Sequence, residues 1–166
     1  IMSSALSLEK SMTIAYLGPE ATFTHQAAIQ KFGASLRYAA QKTIADVFSE
    51  VSKGNADYGV VPVENSTEGV VTHTLDVFVE SDLKIVAQII LRIEQCLLSR
   101  FKKDEIKKFY VHPQTLAQCR LWLQKNFPDA EVIETSSNAR SAEFAAKEKN
   151  SAAIAGVLAA ETYKIP

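Results

Sequence analysis

Short β-branched runs alternate with stretches of helical period along most of this chain, and that alternation leaves few folds open to it. Thr13–Leu17 reads as a strand, and Gly18-Pro19-Glu20-Ala21-Thr22 turns it into a helix running to about Phe32, with Gly33 as its stop. Leu36–Ala39 suits a second strand. Thr43 then caps a helix with Ile44, Val47, Phe48 and Val51 on one face, and Gly54 ends it. Tyr58–Val61 is a third β-branched run. Strands separated by helices in this way imply parallel β-α-β units in a layered α/β sheet.

The densest polar stretch follows, Val61-Pro62-Val63-Glu64-Asn65-Ser66-Thr67-Glu68-Gly69. Beyond it Val71, Thr74, Leu75 and Phe78 fall on one helical face, so the local reading is strand, polar hinge, helix. Such a junction delivers Asn65, Ser66 and Thr67 as donors beside a helix N-terminus. One side chain is enough to cap a helix, and this turn holds more. Farther on, Lys84–Leu98 reads as an extended apolar strand passing from one lobe to another, and Phe109–Val111 as a strand of the second lobe. His112-Pro113-Gln114 opens a helix that carries Leu116, Cys119, Leu123 and Phe127 inward and stops before Pro128. Glu131–Glu134 is a strand, Thr135-Ser136-Ser137 a polar hinge, and Asn138–Lys149 an alanine-rich helix. Ala152–Ile154 is a last strand, and Gly156 opens a last helix up to Tyr163.

Charge and motif content narrow the function. The formal net charge is −1, from 18 Lys plus Arg against 19 Asp plus Glu, which leaves no electrostatic footprint for nucleic acid or an anionic membrane. There is no apolar run of about 18 residues and no signal-peptide pattern, so the reading is a cytoplasmic protein. Cys96 and Cys119 stand far apart among apolar residues, as small hydrophobes rather than a disulfide or metal pair. His25, His73 and His112 have no ligand spacing, and neither a G-x-G-x-x-G nor a Walker loop nor a G-x-S-x-G elbow occurs. No metal and no cofactor is expected. What recurs is a hydroxyl or amide cluster ahead of a helix: Thr22, then Asn65-Ser66-Thr67, then Gln114-Thr115, then Thr135-Ser136-Ser137. Converging, these hinges offer neutral donors and helix N-termini, which suits a small organic carboxylate.

The same stretches carry a family resemblance. Gly18-Pro19-Glu20-Ala21-Thr22-Phe23-Thr24, Val61 through Gly69, His112-Pro113-Gln114 with Ala117-Gln118-Cys119, and Thr135-Ser136-Ser137 stand in the order found in prephenate dehydratase, and residues 12–166 resemble that family almost without a break. Residues 1–11 resemble the tail of the chorismate mutase domain, or the linker, that precedes the dehydratase in bifunctional P-proteins.

The resemblance implies a two-lobed α/β fold of the type 2 periplasmic-binding-protein kind with the ligand cleft between lobes, lobe one at 12–88 and lobe two at 89–166. It implies loss of water and carbon dioxide from prephenate to give phenylpyruvate, in phenylalanine biosynthesis, without cofactor or metal. By the same token Asn65 and Gln118 are the catalytic, substrate-orienting amides, and Thr22, Ser66, Thr67, Gln114, Ser136 and Ser137 bind substrate. The sequence departs from the family at Ala21, commonly Gly, and at Val111, commonly Ser. The family's Thr-Arg-Phe motif and its regulatory ACT domain are not found within these residues. The expectation is therefore a chain with the dehydratase fold, poor activity on its own, and an uncovered sheet edge that favours a homo-oligomer. The competing expectation is a module that binds a small aromatic carboxylate without turnover.

Overall fold

The computed structural model describes residues 12–66 and 69–166, in two compact units: residues 12–18 with 24–90, and residues 19–23 with 91–166. The expected domain tail at 1–11 and the hinge residue Thr67 lie outside the described residues.

The first unit is built on β1 (Thr13–Leu17), flanked in parallel by β2 (Arg37–Gln41) and β3 (Tyr58–Val60). Side chains of β1 alternate between two cores, as the pleat requires. Ile14 and Tyr16 pack with Ala28 of α1 (Phe23–Phe32) and with Val60, whereas Ala15 packs with Val47 of α2 (Ile44–Ser52) and with Ala56. Helix α2 starts where expected because Thr43 and Asp46 form a reciprocal capping box. Gly33 and Gly54, with φ of +85° and +71°, turn the chain out of the two helices. His25 is buried and stacks on Tyr16 with ring centroids 4.3 Å apart.

The polar hinge differs from the strand-hinge-helix expectation. β4 (Glu64–Asn65) pairs antiparallel with β5 (Gly69–Val70), and only then does α3 (Thr72–Val79) begin, with Val71 at its cap and no capping side chain. Asn65 and Ser66 thus stand on a hairpin, not at a helix N-terminus. The cause is turn chemistry: Gly69 adopts φ of +80°, and Asn, Ser and Gly are the residues that let a chain reverse. Thr74 does face inward, 2% exposed, and its hydroxyl donates to the Pro62 carbonyl at 2.7 Å; Leu75 is 43% exposed and leaves the expected face.

The second unit is a four-stranded sheet in the order β6 (Cys96–Leu98), β9 (Ser151–Ala155), β7 (Lys108–Val111), β8 (Glu131–Glu134). β7 is parallel to both neighbours and β6 is antiparallel to β9. One face takes Phe109, Val111, Ala152 and Ile154 against Leu123 and Phe127, at and just beyond the end of α4 (Pro113–Asn126). The other takes Tyr110, Ala153 and Ala155 against Ala139, Ala142 and Ala145 of α5 (Asn138–Lys147) and Ala159 of α6 (Val157–Tyr163). The turn at 19–23 adds Ala21 to this second core, with φ of +64°. That left-handed backbone is the conformation glycine adopts most cheaply.

The long strand expected over Lys84–Leu98 is shortened to Cys96–Leu98. Residues 81–95 hold no helix or strand, and Ile85, Val86 and Ile90 are 72%, 71% and 81% exposed. Apolar composition marks a segment able to be buried, whereas a strand also needs a neighbour to take its backbone hydrogen bonds.

Candidate functional site

Strands β7 and β8 lie side by side and parallel, so the helices that follow them start side by side as well. His112 ends β7 in an extended conformation, and Pro113 enters as the first residue of α4, where its missing N–H costs nothing. After β8, Ser137 caps α5 by accepting from the Arg140 N–H at 3.1 Å. The Thr135 and Ser141 hydroxyls stand 2.6 Å apart and lie 3.1 Å and 3.2 Å from the Ser137 carbonyl. A turn so closely tied holds the start of α5 in one place.

A side-chain network joins the two helix starts. The Thr115 hydroxyl, 1% exposed, donates to Asn138 Oδ1 at 2.8 Å. Gln95 Nε2 lies 3.5 Å from Thr115 Oγ1 and 3.5 Å from Gln118 Oε1. Gln95 Oε1 is buried and has no hydrogen-bond partner among the described residues.

Of the residues expected to form a site, the second unit brings Gln114, Gln118, Ser136 and Ser137 to the N-terminal ends of α4 and α5. Gln114 and Ser137 are half-buried, Gln118 and Ser136 exposed. Ser137 accepts at the α5 cap with its hydroxyl oxygen. Thr22 is half-buried in the turn at 19–23 of the same unit. Asn65, half-buried, and Ser66, exposed, stand on the first unit's hairpin. Gln95 and Asn138 were not singled out from the sequence. The usable signal for Gln95 was an amide inside an otherwise apolar run, since a buried amide has to find partners.

Every side chain in the α4/α5 network is neutral, and the positive field there comes from the helix starts, whose first N–H groups have no partner within their own helix. The nearest ion pairs flank the network, Arg92 with Glu94 just before Gln95 and Arg140 of the first α5 turn with Glu143, which Lys147 also pairs; Lys108 pairs with Glu131 and Glu148. Lys108 and then Tyr110 hydrogen-bond Glu148 and hold its carboxyl below the usual range. Burial raises the Tyr110 hydroxyl, and the bond to Glu148 adds to that. Burial also raises the Cys119 thiol. Among the described residues no cluster of His, Cys, Asp and Glu could hold a metal ion, and no helix is long and apolar enough to cross a membrane. An open cleft of about 280 Å³ between Leu97, Phe101, Trp122, Phe127 and Pro166 includes none of the residues named above as site candidates.

Residues 14–166 match the family profile described as prephenate dehydratase. The chain belongs to the prephenate dehydratase family. It is 52% identical to the bifunctional chorismate mutase/prephenate dehydratase of Aquifex aeolicus, over 99% of this chain and 46% of that protein. The chain thus spans about half the length of the curated relatives it matches. Among solved structures, the prephenate dehydratase of Arthrobacter aurescens in complex with L-Phe superposes with a TM-score of 0.81 at 33% identity, covering 91% of this chain and 52% of that one. GqqA, described as a novel type of quorum quenching acylase, superposes with a TM-score of 0.82 at 25% identity, covering 93% of this chain and 57% of that one. The α/β fold of the prephenate dehydratase family is therefore the fold of this chain. At the two family departures, Ala21 sits in the core with positive φ, and Val111 is wholly buried against α4.

Proposed function

We propose that this chain supplies the substrate-holding part of a cytoplasmic prephenate dehydratase, which removes water and carbon dioxide from prephenate to give phenylpyruvate. The observation that carries the reading is the family match over residues 14–166 joined to the paired helix starts of α4 and α5, lined with neutral donors. Prephenate is a dianion, and two helix N-termini with amides and hydroxyls between them favour carboxylate oxygens.

The reaction breaks a ring carbon–oxygen bond and a carbon–carboxylate bond, and the ring becomes aromatic. No redox step and no covalent adduct are required, so the protein's work is to hold the dianion in a reactive pose and to assist the departing hydroxyl with hydrogen bonds. In this reading Asn65 and Gln118 orient the substrate through their amides, and Thr22, Ser66, Thr67, Gln114, Ser136 and Ser137 complete its binding. Ser137 also caps α5 and fixes where that helix begins. The test is prephenate turnover, followed as phenylpyruvate absorbance, by the full-length gene product and by residues 1–166. Formation of phenylpyruvate by the full-length protein is the expected result; tight prephenate binding with no product would favour a binding module instead.

A further inference from the structure

Gln95 lies in the loop leading to β6, outside every motif of the family resemblance, yet its amide reaches both residues that matter at the start of α4. The direction of its bonds follows from chemistry. Thr115 has one hydroxyl proton and gives it to Asn138 Oδ1, so toward Gln95 its oxygen accepts. The group Gln95 turns to Thr115 is accordingly its Nε2, and the same Nε2 faces Gln118 Oε1. Thr115 is held by Asn138, Gln95 is held by Thr115, and the Gln118 oxygen is held by Gln95. The opposite end of the Gln95 amide is buried with no partner among the described residues, a cost that an apolar side chain would not carry.

We propose that Gln95 is a positioning residue that sets the amide orientation of Gln118. An exposed glutamine can present either its oxygen or its NH₂. With Oε1 held by Gln95, the planar amide turns Nε2 to the other side, so Gln118 acts as a donor. A donor is what a substrate rich in carboxylate oxygens needs, so the inference deepens the proposed dehydratase role and rests on it for its functional arm.

The test uses Gln95→Met and Gln95→Glu in the full-length gene product. Neither an uncharged thioether nor a carboxylate can donate to Gln118 Oε1, and the carboxylate draws the Gln118 NH₂ toward itself. Expected is a fall in kcat of about 10- to 100-fold for both at pH 8, with KM within about threefold of wild type. As pH falls toward 4, the carboxyl introduced by Q95E takes up a proton and regains a donor. Its kcat relative to wild type then rises, while that of Q95M stays flat. A purely structural role would lower the melting temperature without producing that pH profile. Wild-type kcat in both folded variants, or a Q95E profile parallel to wild type, overturns the proposal. Side-chain amide NMR gives a readout free of turnover: the Gln118 NH₂ resonances should move in Q95M, and unmoved resonances also overturn it. If the wild-type protein makes no phenylpyruvate, the dehydratase reading fails, and the resonances still decide the positioning.

Discussion

The hydroxyl of Thr115, in the first turn of α4, donates to Oδ1 of Asn138, the first residue of α5, and so ties the two helix starts side chain to side chain. Thr115→Val keeps the shape and removes the donor. A buried acceptor left without its partner costs about 1 to 3 kcal/mol, which is the expected loss in urea unfolding at an unchanged m-value. A loss below about 0.5 kcal/mol, the usual range for surface changes, would show that the bond does not hold the helices together.

Asn65 stands on β4 with its backbone paired to Gly69, so truncating the side chain leaves the hairpin ladder in place. For Asn65→Ala the full-length protein should fold normally and lose about 1.5 to 4 kcal/mol of transition-state stabilisation. Circular dichroism together with prephenate kinetics checks both halves. Near-normal turnover by a folded variant removes Asn65 from the site.

A Cβ on Gly156 would sit 2.6 Å from Cε1 of Phe23, in the turn that the second unit takes from the start of the chain. Gly156 has an ordinary φ of −81°, so the restriction is close approach alone. Gly156→Ala should destabilise by about 1 to 3 kcal/mol through overpacking. Adding Phe23→Leu should recover part of the loss, and a double-mutant cycle reads the coupling directly. Additivity of the two changes would mean the ring simply moves aside.

Acid should weaken the fold through two carboxylates. Glu148, bonded by Lys108 and Tyr110, and Glu143, bonded by Lys147 and Arg140, both have pKa values lowered by folding. A lowered carboxyl contributes stability that is complete above its unfolded pKa and disappears as pH falls through the folded one, which places the loss below about pH 4. Glu148→Gln should therefore differ from wild type at pH 7 and converge with it at lower pH, as followed by urea midpoints. A constant difference from pH 7 down to pH 2 would show that the ion pair does not set this limb.

Much of the architecture was legible because it rests on local chemistry: Thr43 and Asp46 write the α2 cap, Pro113 writes the α4 start, and the short runs at 13–17 and 109–111 write the strands. Two stretches were misread for non-local reasons. Asn65-Ser66 read as donors beside a helix N-terminus, and the deciding residue was Gly69, whose positive φ is a property of the turn as a whole. Lys84–Leu98 looked like one strand because its apolar content is continuous, but pairing depends on what lies alongside. Gln114, Gln118 and Ser137 entered through the family resemblance. Gln95 and Asn138 matter through contacts between residues far apart in sequence, which no periodicity records.

The interface between α5 and β9 is made of Ala139, Ala142, Ala145, Ala153 and Ala155, all essentially without exposure. Alanine has no rotamers, so this layer has one way to pack and works as a spacer of set thickness, with little scope for alternative seating. The spacer sets the height at which Ser137 and Asn138 stand above the sheet. One added methyl at position 142 or 145 would lift the helix and shift both groups, although neither alanine touches them. The placing of the α5 start is thus adjustable from residues remote from it, and the gauge that sets it is the absence of side chain.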